Sequence, residues 1–233
     1  MRRIGILGGL GPEATIDYYQ RLIRGYRELA PGTGYPDMII DSLNMDFVRG
    51  SIEKPDLVAL TDYLVRSCDR LAAAGAVIGA MTANSPHLVF DEVARRSPLP
   101  LVSIVEATRD AAHTRDLTRL ALFGTSFTME APFYPEACAA VGISIVLPDP
   151  GQRERIHRIY LDELVLGKFL DSSRDELIGI AAQMKARERV DGLILGGTEL
   201  PLILKPEHET AAGMPFLDTT AIHVDAILAR ALS

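Results

Sequence analysis

Short, β-branched apolar runs alternate along the chain with longer stretches whose apolar positions recur at the helical interval. The runs predict strands over residues 3–7, 38–42, 76–81, 101–103, 120–123, 144–146, 192–195 and 216–217. The stretches between them predict helices, among them residues 14–29, 55–74, 152–169, 175–187 and 221–232. Strands that are almost continuously apolar, separated by amphipathic helices, belong to parallel sheets covered on both faces. The expected class is therefore α/β.

The pattern repeats. IGILGGLGPEAT, from Ile4, and LALFGTSFTMEAPFY, from Leu120, share the order strand, glycine, small polar turn, helix. VIGAMTANSPH follows the first by about 75 residues and LILGGTELP follows the second at nearly the same interval, as internal duplication leaves. Two similar lobes are expected, each a parallel sheet flanked by helices and related by a pseudo-twofold. The first takes residues 1–98 with 209–233, and the second residues 99–208. Pro98 and Pro100 interrupt the pattern at the boundary, and the last helix returns to the first lobe. All four turns stand at the carboxyl ends of predicted strands, where parallel α/β sheets bind ligands. Lobes that face each other would bring the turns to one cleft.

Composition narrows the partners. At 233 residues, 48% hydrophobic and 24% charged, the chain reads as a globular protein of one large or two small domains. Its net charge of -7 and lack of any basic block, beyond the pairs Arg2-Arg3 and Arg95-Arg96, exclude nucleic acid and anionic membrane as partners. The apolar run after Arg2-Arg3 is shorter than the roughly 7–15 residues of a signal core. No run approaches the roughly 20 residues that cross a bilayer. A cytoplasmic location is expected. Cys68 and Cys138 lack paired spacing, so they read as buried thiols and not as a disulfide framework or a metal site.

The turns carry the candidate chemistry. Gly8-Gly9-Leu10-Gly11-Pro12 follows a strand and opens a helix, a place that suits an anion. Its spacing departs from the dinucleotide fingerprint, Pro12 removes a donor, and Asp41 and Asp46 are weak candidates for the ribose acid. A carboxylate fits better than a nucleotide. Asn84-Ser85-Pro86-His87 reads as a strand end with Ser85 capping a helix and Pro86 opening it. Gly196-Gly197-Thr198-Glu199-Leu200-Pro201 reads likewise, with Thr198 as cap and Glu199 at the helix dipole. Both sets also offer donors to a ligand carboxylate.

GGLGPEATIDYY, NSPH, GTSFTMEAPFY, HRIYLDELVLGKF, GGTELPLIL and DTTAIH, in this order over nearly the whole chain, together resemble the aspartate/glutamate racemase family. The resemblance implies a cofactor-free, PLP-independent amino-acid racemase fold of two α/β lobes, commonly a homodimer, holding an acidic amino acid or dicarboxylate between them. It also implies a mechanism in which two cysteines work on opposite faces of the substrate Cα, one taking the α-proton and one returning it. Those positions hold Ala83 and Gly197 here, so two-thiol racemisation has no groups to run on, and the catalytic residues are unassigned. Thr82, His87, Glu199 and His223 lie near the motifs; a Thr hydroxyl without a partner is a poor base, and the histidines read as capping or packing groups. The resemblance makes Lys168 a partner for a substrate carboxylate; the other reading is a solvated charge at a helix end. Arg49 would be a second cation suited to a dicarboxylate. Leu10, Asn84, Ser85, Thr198 and Glu199 complete the substrate-binding set, and no metal is implied. The reading that competes with an enzyme is a non-catalytic carboxylate-binding or sensing protein on the same scaffold.

Overall fold

The computed structural model describes residues 1–233 throughout. The chain forms two compact units, Met1–Ile104 with His223–Ser233, and Val105–Ile222.

The first unit runs through β1 (Ile4–Gly8), α1 (Pro12–Leu29), β2 (Met38–Ser42), α2 (Met45–Glu53), α3 (Leu57–Ala73) and β3 (Ile78–Met81). A 3₁₀ turn at Ser85–Val89, α4 (Phe90–Arg96) and β4 (Leu101–Val102) follow. The strands form one parallel sheet in the order β2-β1-β3-β4. Every residue of β1 and β3 is buried, as the unbroken apolar runs require. α1 opens on Pro12, where a missing N–H costs no helical bond. Its Ala14, Tyr18, Leu22 and Tyr26 are buried at four-residue spacing, making one stripe. Tyr18, Leu22 and Tyr26 share a core with Ile4, Ile6, Ile78 and Ala80. Truncating fully buried Leu22 to alanine costs about 2–5 kcal/mol. Val224, Ile227, Leu228 and Ala231 join the same core, and His223–Ser233 belongs to the first unit.

The second unit is entered through α5 (Ile104–Thr114) and continues with β5 (Arg119–Phe123), α6 (Ser126–Glu130), α7 (Phe133–Ala139), β6 (Ser144–Val146) and α8 (Pro150–Asp162). Then come α9 (Asp171–Glu188), β7 (Gly192–Leu195), α10 (Leu200–Ile203), α11 (Glu209–Ala212) and β8 (Phe216–Asp218), and the chain leaves through α12 (Thr219–Leu232). The sheet is again parallel, in the order β6-β5-β7-β8. Outer, first, third, fourth: the strand order matches that of the first unit.

Three boundaries differ from expectation. The helix expected over 152–169 stops at Asp162; a 3₁₀ turn at Leu164–Leu166 follows, closed by Gly167 in the left-handed region at φ 70. Phe216–Asp218 pairs with β7, which keeps the segment after 208 in the second unit as far as Ile222. The first unit likewise extends through Ile104, past the break expected at residue 98. Cys68 and Cys138 are free and buried. No helix is long and apolar enough to cross a membrane.

Candidate active site

In each sheet the strand order reverses between the first and third strands, β1 and β3 in one unit and β5 and β7 in the other. That reversal opens a crevice at the carboxyl ends of the two strands, the usual ligand position in open α/β sheets. The ladder ends alike in both units. The Thr82 N–H donates to Leu7 O at 3.1 Å, and the Gly196 N–H donates to Phe123 O at 2.7 Å. Ala83 and Gly197 are each the next residue, so they occupy equivalent places in the two units.

In the first unit, the Gly9 N–H donates to Thr15 Oγ1 at 2.9 Å, and the Thr15 hydroxyl donates to Gly11 O at 3.0 Å. This bond pattern holds the turn around buried Leu10. Thr82 is fully buried, its hydroxyl donating to Leu7 O at 3.2 Å and standing 3.4 Å from Thr15 Oγ1. It has no base beside it. Ala83 puts a nearly buried methyl at the strand end. The next residues form a 3₁₀ turn starting at Ser85, with Asn84 in the cap position and its side chain making no cap bond. Ser85 is therefore not the expected N-cap: Asn84 is itself αR, so the turn begins one residue earlier.

Buried His87 holds that turn in place. Its Nδ1–H donates to Ala83 O at 3.1 Å, and Nε2 accepts from the Ile104 N–H at 3.3 Å. Burial, helped by nearby His223, pushes its pKa down to about 3. With both nitrogens engaged and the ring neutral, His87 positions the backbone of residue 83. His223 is also fully buried and doubly bonded, accepting from the Tyr18 hydroxyl at 2.8 Å and donating to Val102 O at 2.9 Å. Burial lowers its pKa to about 4. It packs; it does not exchange protons. Asp41, a candidate ribose acid, instead accepts from Ser67 Oγ at 2.6 Å and from Arg70 Nη2 at 2.6 Å.

In the second unit, Thr125 caps α6, accepting from the Thr128 N–H at 3.2 Å. The Ser126 N–H donates to His157 Nδ1 at 3.1 Å. His157 lies on α8, whose start is fixed by an Asp149–Gln152 capping box, and the same helix carries Tyr160. Tyr160, Thr198 and Glu199 are all buried. The Tyr160 hydroxyl donates to Glu199 Oε2, and the Thr198 hydroxyl donates to the same oxygen at 3.1 Å. Burial first, and then the Glu199 charge, raise the tyrosine pKa well above its ordinary value. Thr198 does not cap α10; Glu199 takes the cap position, and its side chain makes no cap bond.

The structure thus places Ala83, Asn84 and Ser85 at the end of β3, Leu10 at the adjoining end of β1, and Gly197, Thr198 and Glu199 at the end of β7. Neither of the two expected cations belongs to a strand-end turn. Arg49 is on α2, half-exposed, 3.2 Å from Asp46 and 3.8 Å from Glu53. Lys168 is exposed just past the Gly167 turn, its N–H donating to Glu163 O at 2.9 Å. Tyr160 was missed by sequence reasoning. The available signal was its place inside the HRIYLDELVLGKF run, on a helix that its own periodicity did not orient.

The profile of the Asp/Glu/Hydantoin racemase family matches residues 7–227. The chain is 30% identical to a candidate Asp/Glu racemase of known structure from Yersinia pestis, with a TM-score of 0.89 and 100% of each chain covered. It is 32% identical to an aspartate racemase homologue from Pyrococcus horikoshii OT3, with a TM-score of 0.86 and again 100% of each chain covered. The broad-specificity amino-acid racemase RacX of Bacillus subtilis (strain 168) is 25% identical over 159 residues, spanning 64% of this chain and 66% of that protein. The duplicated parallel sheets, the matched strand-end turns and these similarities together make the chain a member of the Asp/Glu/hydantoin racemase family.

Proposed function

We propose that this racemase-family chain binds an acidic amino acid or related dicarboxylate at its strand-end turns, without two-thiol racemisation. One observation carries the reading: Ala83 and Gly197 are equivalent residues, each the first beyond the last ladder bond of β3 and β7. The resemblance expects a cysteine at each. A methyl and a hydrogen have no proton to exchange, so the scaffold keeps the binding turns and lacks the paired acid and base. Asn84, Ser85, Thr198 and Glu199 supply the polar lining, Leu10 supplies an apolar contact, and Lys168 with Arg49 supply the cations for the carboxylates. Lys168 is the stronger of the two, because its exposed ammonium is in no ion pair while Arg49 already faces Asp46 and Glu53. The descriptions of the Pyrococcus and Bacillus relatives support an amino acid as the ligand class. The protein acts without PLP, in the cytoplasm, as a homodimer.

A second reading, a non-catalytic carboxylate-binding or sensing protein, is favoured by the Ala83 methyl, which leaves the first unit's turn without an ionisable side chain that could act. Calorimetric titration with L- and D-aspartate, L- and D-glutamate and succinate tests the binding that both readings share. Saturable binding is expected, weakened about tenfold or more in Lys168→Ala, as loss of a charge-assisted bond of about 1.5–3 kcal/mol implies. No heat from any ligand of the panel would refute it.

A further inference from the structure

Gly197 and Tyr160 share one space. A Cβ placed on Gly197 would overlap Tyr160 Cε2 and stand 2.8 Å from Cζ and 3.0 Å from Oη. The tyrosine therefore fills the volume that any side chain at 197 would enter. Its hydroxyl lies on Glu199 Oε2, which the Thr198 hydroxyl also holds. An O–H group backed by a buried carboxylate thus stands at the turn where the resemblance expects a thiol.

We infer that Tyr160 Oη, backed by Glu199, is the proton-transferring group of this half-site. The inference rests on the ligand reading above. The step balances within the chain and its ligand. The Cα–H bond of the bound amino acid breaks, leaving its electron pair on Cα, and the proton bonds to Tyr160 Oη. The tyrosine's own proton passes to Glu199 Oε2, leaving a neutral phenol and a neutral carboxylic acid. Return of the two protons, one of them exchanged with solvent, restores the starting state. The relay avoids a free phenolate, which burial and the neighbouring Glu199 charge disfavour. It also gives a one-sided reaction. A single proton-transferring group serves one face of Cα, so the exchanged proton returns to the face it left. The expected activity is solvent exchange at Cα with retained configuration.

Proton NMR of L- and D-aspartate and L- and D-glutamate in D2O, with the full-length protein, tests this. One enantiomer should lose its Cα–H signal while chiral chromatography shows its configuration unchanged. Tyr160→Phe keeps the ring and its packing; it should slow exchange by about 100-fold or more while the calorimetric Kd stays within about threefold. Glu199→Gln should slow exchange as well and remove the limb of the pH profile that rises as a carboxylate ionises. A purely structural Glu199 would leave that limb in place. Binding without exchange, exchange undiminished in Tyr160→Phe, or an unchanged pH profile in Glu199→Gln would overturn the relay and leave the ligand reading standing. Absence of binding to the native protein would remove the ligand reading, and the relay with it.

Discussion

Position 197 is set by its neighbour across the turn. Because a Cβ there would overlap the Tyr160 ring, Gly197→Ala should destabilise the fold by about 1–3 kcal/mol through overpacking. The strain should disappear when the ring is removed. In Tyr160→Leu the alanine should cost much less, so urea denaturation of both single variants and the double should give a coupling energy of about 1 kcal/mol or more. Additive costs would show that the two residues do not compete for space. Ala83 and Gly197 were legible in the sequence, since each follows an apolar strand and precedes a proline-bearing turn. Tyr160 was not legible. Its contact with residue 197 joins segments far apart in the chain, and a helical tyrosine carries no local sign of which distant turn it will meet. The missed cap at Ser85 has a simpler cause: in so short a 3₁₀ turn, Asn84 enters the αR region first and leaves Ser85 inside.

The elements themselves were largely written in the hydrophobic pattern. β7 falls where its apolar run lies, because a strand buried on both faces needs every position apolar; β2 and β6, partly exposed strands at the sheet edges, also lie over their expected runs. Helix ends were less legible. The stretch expected over 152–169 keeps a helical apolar spacing past Asp162, but Gly167 in the left-handed region lets the chain turn out through a 3₁₀ segment. Buried histidines hold several of these elements together: His223 ties α12 to α1 and β4, and His87 ties the turn after Ala83 to the start of α5. Both have folded pKa values depressed below the ordinary 6.5, to about 4 and about 3. The unfolded chain therefore takes up their protons first. Stability is complete above about pH 6.5 and falls as pH drops toward the folded values, by about 1.4 kcal/mol per pH unit for each histidine. Urea unfolding between pH 7.5 and 5 should show this decline, and His223→Gln should remove about one proton's share of the slope. A slope that His223→Gln leaves unchanged would contradict the assignment.

At the scale of the whole chain, the two sheets repeat the order β2-β1-β3-β4 as β6-β5-β7-β8. That repetition was legible in the sequence as a long period, because each copy keeps its strand, turn and helix in the same sequence. The unit boundaries were harder to read, since a short strand such as Phe216–Asp218 is assigned by the sheet it pairs with and not by its own composition. The repeated architecture gives two equivalent strand-end turns, and both equivalent residues lack an ionisable side chain. On the proposed function, this member of the racemase family lacks racemase chemistry. The most direct measurement follows the optical rotation of saturating L- and D-aspartate and L- and D-glutamate, each incubated with the native protein at a concentration shown by calorimetry to fill the site. The account predicts bound ligand and constant rotation. Decay of rotation toward zero in both directions, at a rate proportional to protein, would contradict it.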